Sequence, residues 1–204
     1  MNMYKRIASY FRSTQLPPEV KYHKNRKGKI LLHIGDIPWK SYPYIMKMIR
    51  QIKPDIMVHT GDMVDNRKVR RKPEDIPYYK KQAPKLIACM EKYAKEVYIV
   101  PGNNDIKDFL AEKVTKTRII DANTVVNIEG IDFLLCHAVS DIDGEAQIYL
   151  YGHGPTGDNH TFEEDGKYYC NTYFAPTVVF MDEVRCIRLR HYTDYVRTSK
   201  TSLK

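Results

Sequence analysis

The stretch IVPGNND, residues 99–105, decides how this chain reads. An apolar run over residues 97–100 stops at Pro101-Gly102, and two amides and a carboxylate follow at once. Gly102 can take backbone angles closed to other residues, so a tight turn can aim the next side chains at one point. A strand that ends in this way implies a loop built to hold something.

Moving toward the N-terminus, the same design recurs. Residues 29–34 form a short apolar run, and residues 42–52 place Tyr42, Ile45, Met46, Ile49 and Ile52 on one helical face, closed by Pro54. Residues 55–60 read as a second strand, residues 85–96 as a helix with Leu86, Cys89, Met90 and Tyr93 inward, and residues 97–100 as a third strand. This βαβαβ order predicts a parallel sheet.

The second half changes character. NTVVNIEGIDFLLCHA, residues 123–138, holds two β-rich runs joined at Glu129-Gly130, a hairpin signal. IYLYG, KYYCN, TVVFMD and EVRCIRLR follow as strands, the last two turning at Asp182-Glu183, and antiparallel pairing is expected there. Residues 1–28 read as a basic N-terminal arm, 29–190 as one domain, and 191–204 as a polar tail.

Bulk properties bound the function. The chain has 204 residues, of which 43% are hydrophobic and 28% charged, which suits one domain with a real core. No run has the length of a membrane helix and the N-terminus lacks an apolar signal core, so a soluble cytoplasmic protein is expected. Cys89, Cys136, Cys170 and Cys186 lack metal-knuckle spacing and read as packed, reduced thiols. The net charge of +8 includes basic clusters at 21–29 and 66–72, neither carrying a nucleic-acid reading motif. Nucleic acid is therefore the lowest-ranked partner.

The strand ends collect one kind of chemistry. HIGDIPW ends in Asp36, HTGDMVDN in Asp62 and Asp65, PGNND in Asn103, Asn104 and Asp105, LLCHAVS in His137, and LYGHGPTGDNH in His153. In an open α/β sheet the carboxyl ends face one crevice, and carboxylate, amide oxygen and imidazole suit a divalent transition metal. His33 and His59 each precede a motif aspartate by three, so on a strand they point away from it and read as core or supporting histidines.

Asp36, the GDxxD of residues 61–65, the GNxD of residues 102–105, a lone strand-end histidine and a later GHx, in this order, resemble the calcineurin-like metallophosphoesterase family. The resemblance covers residues 29–190, and PDIMVHTGDMVDN is its most specific part. It implies two packed mixed β-sheets flanked by helices, an α/β four-layer sandwich. It also implies divalent metal, manganese, iron or zinc: Asp62 would bridge two ions, Asn103, His137 and His153 would complete one position, and Asp36 would serve the other. Asn104 and Asp105 would be catalytic, with Asp105 bracing its loop.

The departures matter as much. Pro38 stands where the family's first motif has a histidine, Pro155 where its last motif has another, and Asn104 where a histidine protonates the leaving oxygen. Proline offers no ligand atom, so one metal position is complete and the second is in doubt. Asp158 and His160 are the nearest replacements, and solvent-facing loop residues are the plainer reading of both. The expected function is metal-dependent hydrolysis of a phosphomonoester or phosphodiester, reduced or restricted by the incomplete position. Arg67, Lys68, Arg70 and Arg71 would grip the substrate phosphate. A catalytically degenerate binding or scaffold protein is the alternative.

Overall fold

The computed structural model describes residues 16–25, 27–153, 161–173 and 175–189. Strands β1 (Ile30–Ile34), β2 (Ile56–His59), β3 (Glu96–Ile99) and β4 (Arg118–Ile119) lie parallel and in sequence order. The helices between them are α2 (Tyr42–Ile52) and α3 (Ile76–Tyr93), with α1 (Pro18–Lys21) before β1 and α4 (Lys107–Lys113) after β3. The second sheet holds β5 (Thr124–Ile128), β6 (Ile131–Ala138), β7 (Ile148–Gly152), β8 (Phe162–Glu164) and β9 (Lys167–Asn171), in the order β5-β6-β7-β9-β8. Both sheets are mixed and helices flank the pair, as expected.

Alternation along each strand assigns the layers. In β1, Ile30, Leu32 and Ile34 face the helices, while Leu31 faces the second sheet. Between the sheets, Val58, Tyr98, Phe133, Leu135, Leu150 and Val179 form an apolar layer. Helix α2 buries Tyr42, Tyr44, Ile45, Met48, Ile49 and Ile52; Met46, expected inward, is only half-buried. Within the expected N-terminal arm, Val20 of α1 is fully buried against this helical layer. The four cysteines are free.

Two sequence expectations need correction. Helix α3 starts at Ile76, nine residues before the expected start, and runs through Pro84. The carbonyl that Pro84 leaves without an amide partner belongs to Lys80, an exposed residue that water can serve. In the second half, β7 is parallel to both β6 and β9. Residues 139–147 carry the chain back over the outer face of the sheet, where Val139 and Ile142 pack on Leu134, Cys136 and Tyr151, so β7 starts again from the same edge. As expected, β10 (Thr177–Phe180) and β11 (Arg185–Arg188) pair antiparallel, and they join the first sheet through β10, which is also antiparallel to β1. The Glu129-Gly130 hairpin is as expected, with both residues at positive φ, 54° and 80°.

One tether outside the site governs stability. The Glu91 carboxylate on α3 accepts hydrogen bonds from the Thr115, Lys116 and Thr117 backbone amides and from both threonine hydroxyls, at 2.6–3.1 Å. Burial pushes its pKa up, but these bonds outweigh burial and bring it from 4.5 to about 2. A depressed carboxyl stabilises the fold above its unfolded pKa and ceases to do so as pH falls through about 2. Solvent screens this partly exposed carboxylate, so Glu91→Gln should cost about 1 kcal/mol at neutral pH. Denaturant midpoints of parent and variant should differ at pH 7 and converge toward pH 2; a gap unchanged by acid would assign the tether to shape rather than charge.

Candidate metal centre

The carboxyl ends of β1, β2, β3, β6 and β7 meet at one edge of the sandwich. Parallel pairing of β6 with β7, with Ala138 opposite Gly152, is what puts His137 and His153 together. Ligand atoms of Asp36, Asp62, His137 and His153 lie within 4.8 Å of one another. His153 Nδ1 is 2.9 Å from His137 Nε2, and the His153 backbone N–H donates to Asp36 Oδ2 at 2.8 Å.

The backbone holds this geometry under strain. Asp36, Asp62 and His153 have φ of 49°, 55° and 56°, the left-handed region, at a cost of about 1 kcal/mol each. The loops after β2 and β3 touch through their glycines. A Cβ on Gly61 would sit 2.5 Å from the Gly102 nitrogen and 2.6 Å from His137 Nδ1, and a Cβ on Gly102 would sit 2.5 Å from the Asp62 nitrogen. A Cβ on Gly152 would overlap Asp36 Oδ2.

Asp105 ties the two loops. Its Oδ2 accepts the Asp62 and Gly102 amides at 2.8 Å, and its Oδ1 accepts the Met63 amide and the Tyr79 hydroxyl at 3.0 Å. Burial, and then the Asp62 charge, push its carboxyl up to about 7. Asn104 is buried; its backbone N–H donates to Asp62 Oδ1 at 2.8 Å and its side-chain amide to Asp62 Oδ2 at 2.6 Å. Asn103 is exposed at the rim, with its Oδ1 accepting from the Asn104 amide at 2.8 Å.

The donor set fits a divalent cation. His137 Nδ1 donates to the Thr60 carbonyl at 2.7 Å, which leaves Nε2 as the acceptor nitrogen, facing the cluster and 2.9 Å from His153 Nδ1. Asp36 and Asp62 are both buried, and burial followed by the Asp62 charge drives the Asp36 pKa well above its usual range. Two neighbouring buried carboxylates with an aimed imidazole nitrogen form a set that a positive charge would stabilise. The spacing is one that a single ion with bonds of about 2 Å spans after small side-chain shifts.

A cleft of about 300 Å³ opens over the cluster. Asp36, Asp62, Asn103, Asn104 and His153 line one side, and Asp65, Lys68, Arg71 and Tyr173 the rest. Lys68 Nζ is 2.6 Å from Asp65 Oδ1 and 4.0 Å from Asp62 Oδ2. Of the other expected phosphate-binding residues, Arg67 bonds Asp75 at 2.7 Å and stacks on the Tyr78 ring, and Arg70 is exposed outside the lining. Pro38 is half-buried beside Asp36; Pro155, Asp158 and His160 lie outside the described residues.

His33 and His59 are core groups. His33 Nε2 meets Thr60 Oγ1 at 3.0 Å, and His59 Nδ1 accepts the Gly61 amide at 3.1 Å. Burial, with the neighbouring His137 imidazole second, lowers His59 to about 3, so it is neutral. Sequence reasoning missed Thr60, Tyr79 and Tyr173. Thr60 sits inside the HTGD motif and could have been found by asking which carbonyl orients His137. Tyr79 and Tyr173 carry no pattern of their own.

Comparison with known proteins identifies the family. Residues 30–195 match the model of the family described as calcineurin-like phosphoesterase. Over 104 residues the chain is 28% identical to the DNA double-strand break repair protein Mre11 of Methanocaldococcus jannaschii, a span of 48% of this chain and 27% of that protein. The chain thus spans about a quarter of that relative's length. A solved structure superposes with a TM-score of 0.56 at 12% identity, covering 81% of this chain and 99% of the other. Yfce, a phosphoesterase from E. coli, superposes with a TM-score of 0.48 at 13% identity, covering 80% and 99%. Among the described residues no helix is long and apolar enough to cross a membrane. The matched span takes in every strand of both sheets and all five candidate ligands, and on that ground the chain belongs to the calcineurin-like phosphoesterase family.

Proposed function

We propose that the protein hydrolyses a phosphate ester, using a divalent ion held by Asp36, Asp62, Asn103, His137 and His153. The observation that carries this reading is the convergence of two buried carboxylates and two imidazoles within 4.8 Å at the floor of a cleft whose wall carries Lys68 and Arg71. When bound, such an ion acidifies water and polarises a phosphoryl oxygen.

The chain's own residues supply the rest. Asn104 and Asp105 fix the Asp62 carboxylate and its loop, so both act by positioning. Lys68, held by Asp65, and Arg71 present cationic donors to the substrate phosphate from the open side. Pro38 gives no donor on the Asp36 side, which narrows rate or substrate range through a weak second metal position.

A second reading has its own support. The Asn104 amide carries no acidic proton and is engaged by Asp62, so it does not protonate a leaving oxygen. A binding module that keeps the ion as structure fits that feature.

The test is chelation followed by metal return. Turnover of chromogenic monoester and diester substrates should vanish on chelation and recover with manganese, iron or zinc, and His153→Ala should lower the metal retained after dialysis at least several-fold. Metal held tightly with no turnover of either substrate hands the function to the binding module. Full metal retention in His153→Ala removes the site as drawn.

A further inference from the structure

The helical layer over the first sheet is strongly basic. Residues 40–53 contain four basic residues and no acidic one, and residues 76–95 contain five basic residues and one acid, Glu91. Each stretch therefore carries a net +4, together equal to the +8 of the whole chain. Glu91 is occupied by the 115–117 loop, and the adjoining turn α1 adds one charge of each sign.

The charges are aligned as well as concentrated. Lys81, Lys85 and Lys92 are all exposed and fall at i, i+4 and i+11, one solvent stripe of α3 about 17 Å long. Arg50 of α2 lies beside it: Arg50 and Lys92 both lower the pKa of the Cys89 thiol, against the burial that raises it. At its N-terminal end α3 reaches the metal centre, where Tyr79 bonds Asp105, and the loop leading into it, residues 66–72, carries five basic residues and no acid. The helix that carries the stripe thus starts near the cleft whose wall holds Lys68 and Arg71, with Pro73–Asp75 between them.

Its chemistry selects among polyanions. The exposed large hydrophobic side chains among the described residues are Tyr22, Val125 and Phe162, and none lies on α2 or α3. A membrane-surface helix needs apolar anchors beside its cations, whereas a phosphodiester backbone is held by cations alone. A stripe of this length faces about five phosphates of one strand at about 3.4 Å each.

We infer that the α2–α3 face binds a nucleic-acid backbone without regard to base sequence and leads it to the cleft. Delivery to the cleft rests on the phosphoesterase reading; binding does not. The contacts are to phosphate, so they set affinity and register and read no bases.

The test is anisotropy titration of labelled single-stranded and duplex oligonucleotides of two unrelated sequences, over a range of salt, with the parent and with Lys81→Ala/Lys85→Ala/Lys92→Ala. The parent should bind both sequences alike. The triple variant should bind about tenfold or more weaker near 0.1 M salt, and its log–log salt slope should be smaller by about 2. Thermal unfolding, unchanged in the variant because all three lysines are exposed, excludes misfolding. Turnover of a small chromogenic diester should be the same in both proteins, while cleavage of the oligonucleotide should fall in the variant. Oligonucleotide binding indifferent to the three lysines overturns the inference, as does retention on anionic vesicles with none on either oligonucleotide. Loss of binding with no turnover of any ester upholds the track and rejects the phosphoesterase reading.

Discussion

Asp62→Asn should release most of the bound divalent metal and lower phosphoester turnover by about three orders of magnitude or more. Asp62 is the residue on which the site converges: its carboxylate takes two hydrogen bonds from Asn104, lies 3.7 Å from His137 Nε2 and 4.0 Å from Lys68, and its own amide is held by Asp105. Asparagine keeps the volume and removes the charge. In either orientation its new NH2 group faces an Asn104 donor, the backbone N–H or the side-chain amide, so thermal unfolding must accompany metal analysis and steady-state kinetics. A folded variant with parental metal content and a rate within a fewfold of the parent would remove Asp62 from the centre.

The second large effect is structural. Gly102→Ala should lower stability by about 2–4 kcal/mol and the melting temperature by about 10 °C. Gly61→Ala should cost at least as much. At both positions the new methyl would meet backbone nitrogen across the loop contact, which no rotamer change relieves. Gly61 also has φ of 92°. Gly130→Ala is the matching control: φ is 80° there too, but nothing lies within 4 Å, so only the backbone term of about 1 kcal/mol remains. If the three alanine variants melt alike, the two loops are not interlocked.

What the sequence revealed and what it concealed follow from the range of each interaction. The β1–α2–β2 register and the parallel first half were legible because local periodicity records burial directly, as in Tyr42, Ile45 and Ile49. The Glu129-Gly130 turn was legible because its backbone demands those residue types. The early start of α3 was hidden by Pro84, a local signal overruled by tertiary burial of Tyr79 and Ala83. Strand direction in the second half was hidden because Tyr149 and Tyr151 alternate in the same way whether β7 is parallel or antiparallel.

The candidate site was legible as a list and opaque as a geometry. Asp36, Asp62, Asn103, His137 and His153 sit in ordered motifs, so the sequence named them. That Arg67 turns to Asp75 and Tyr78 while Lys68 and Arg71 face the cleft depends on side-chain partners far from the motif spacing. The aim of His137 depends on a carbonyl in another sheet, 77 residues away.

The left-handed backbone at Asp36, Asp62 and His153 bears on how an ion is exchanged. These conformations are set by interlocked loops and by hydrogen bonds between protein groups, so the strain is met when the chain folds. Loading the centre then orders little further chain, and unloading it leaves the pocket standing. An ion held there would meet a rigid receptor, whose selectivity would follow ionic size and the hardness of the donors, with little adjustment of the loops to suit whichever ion arrives.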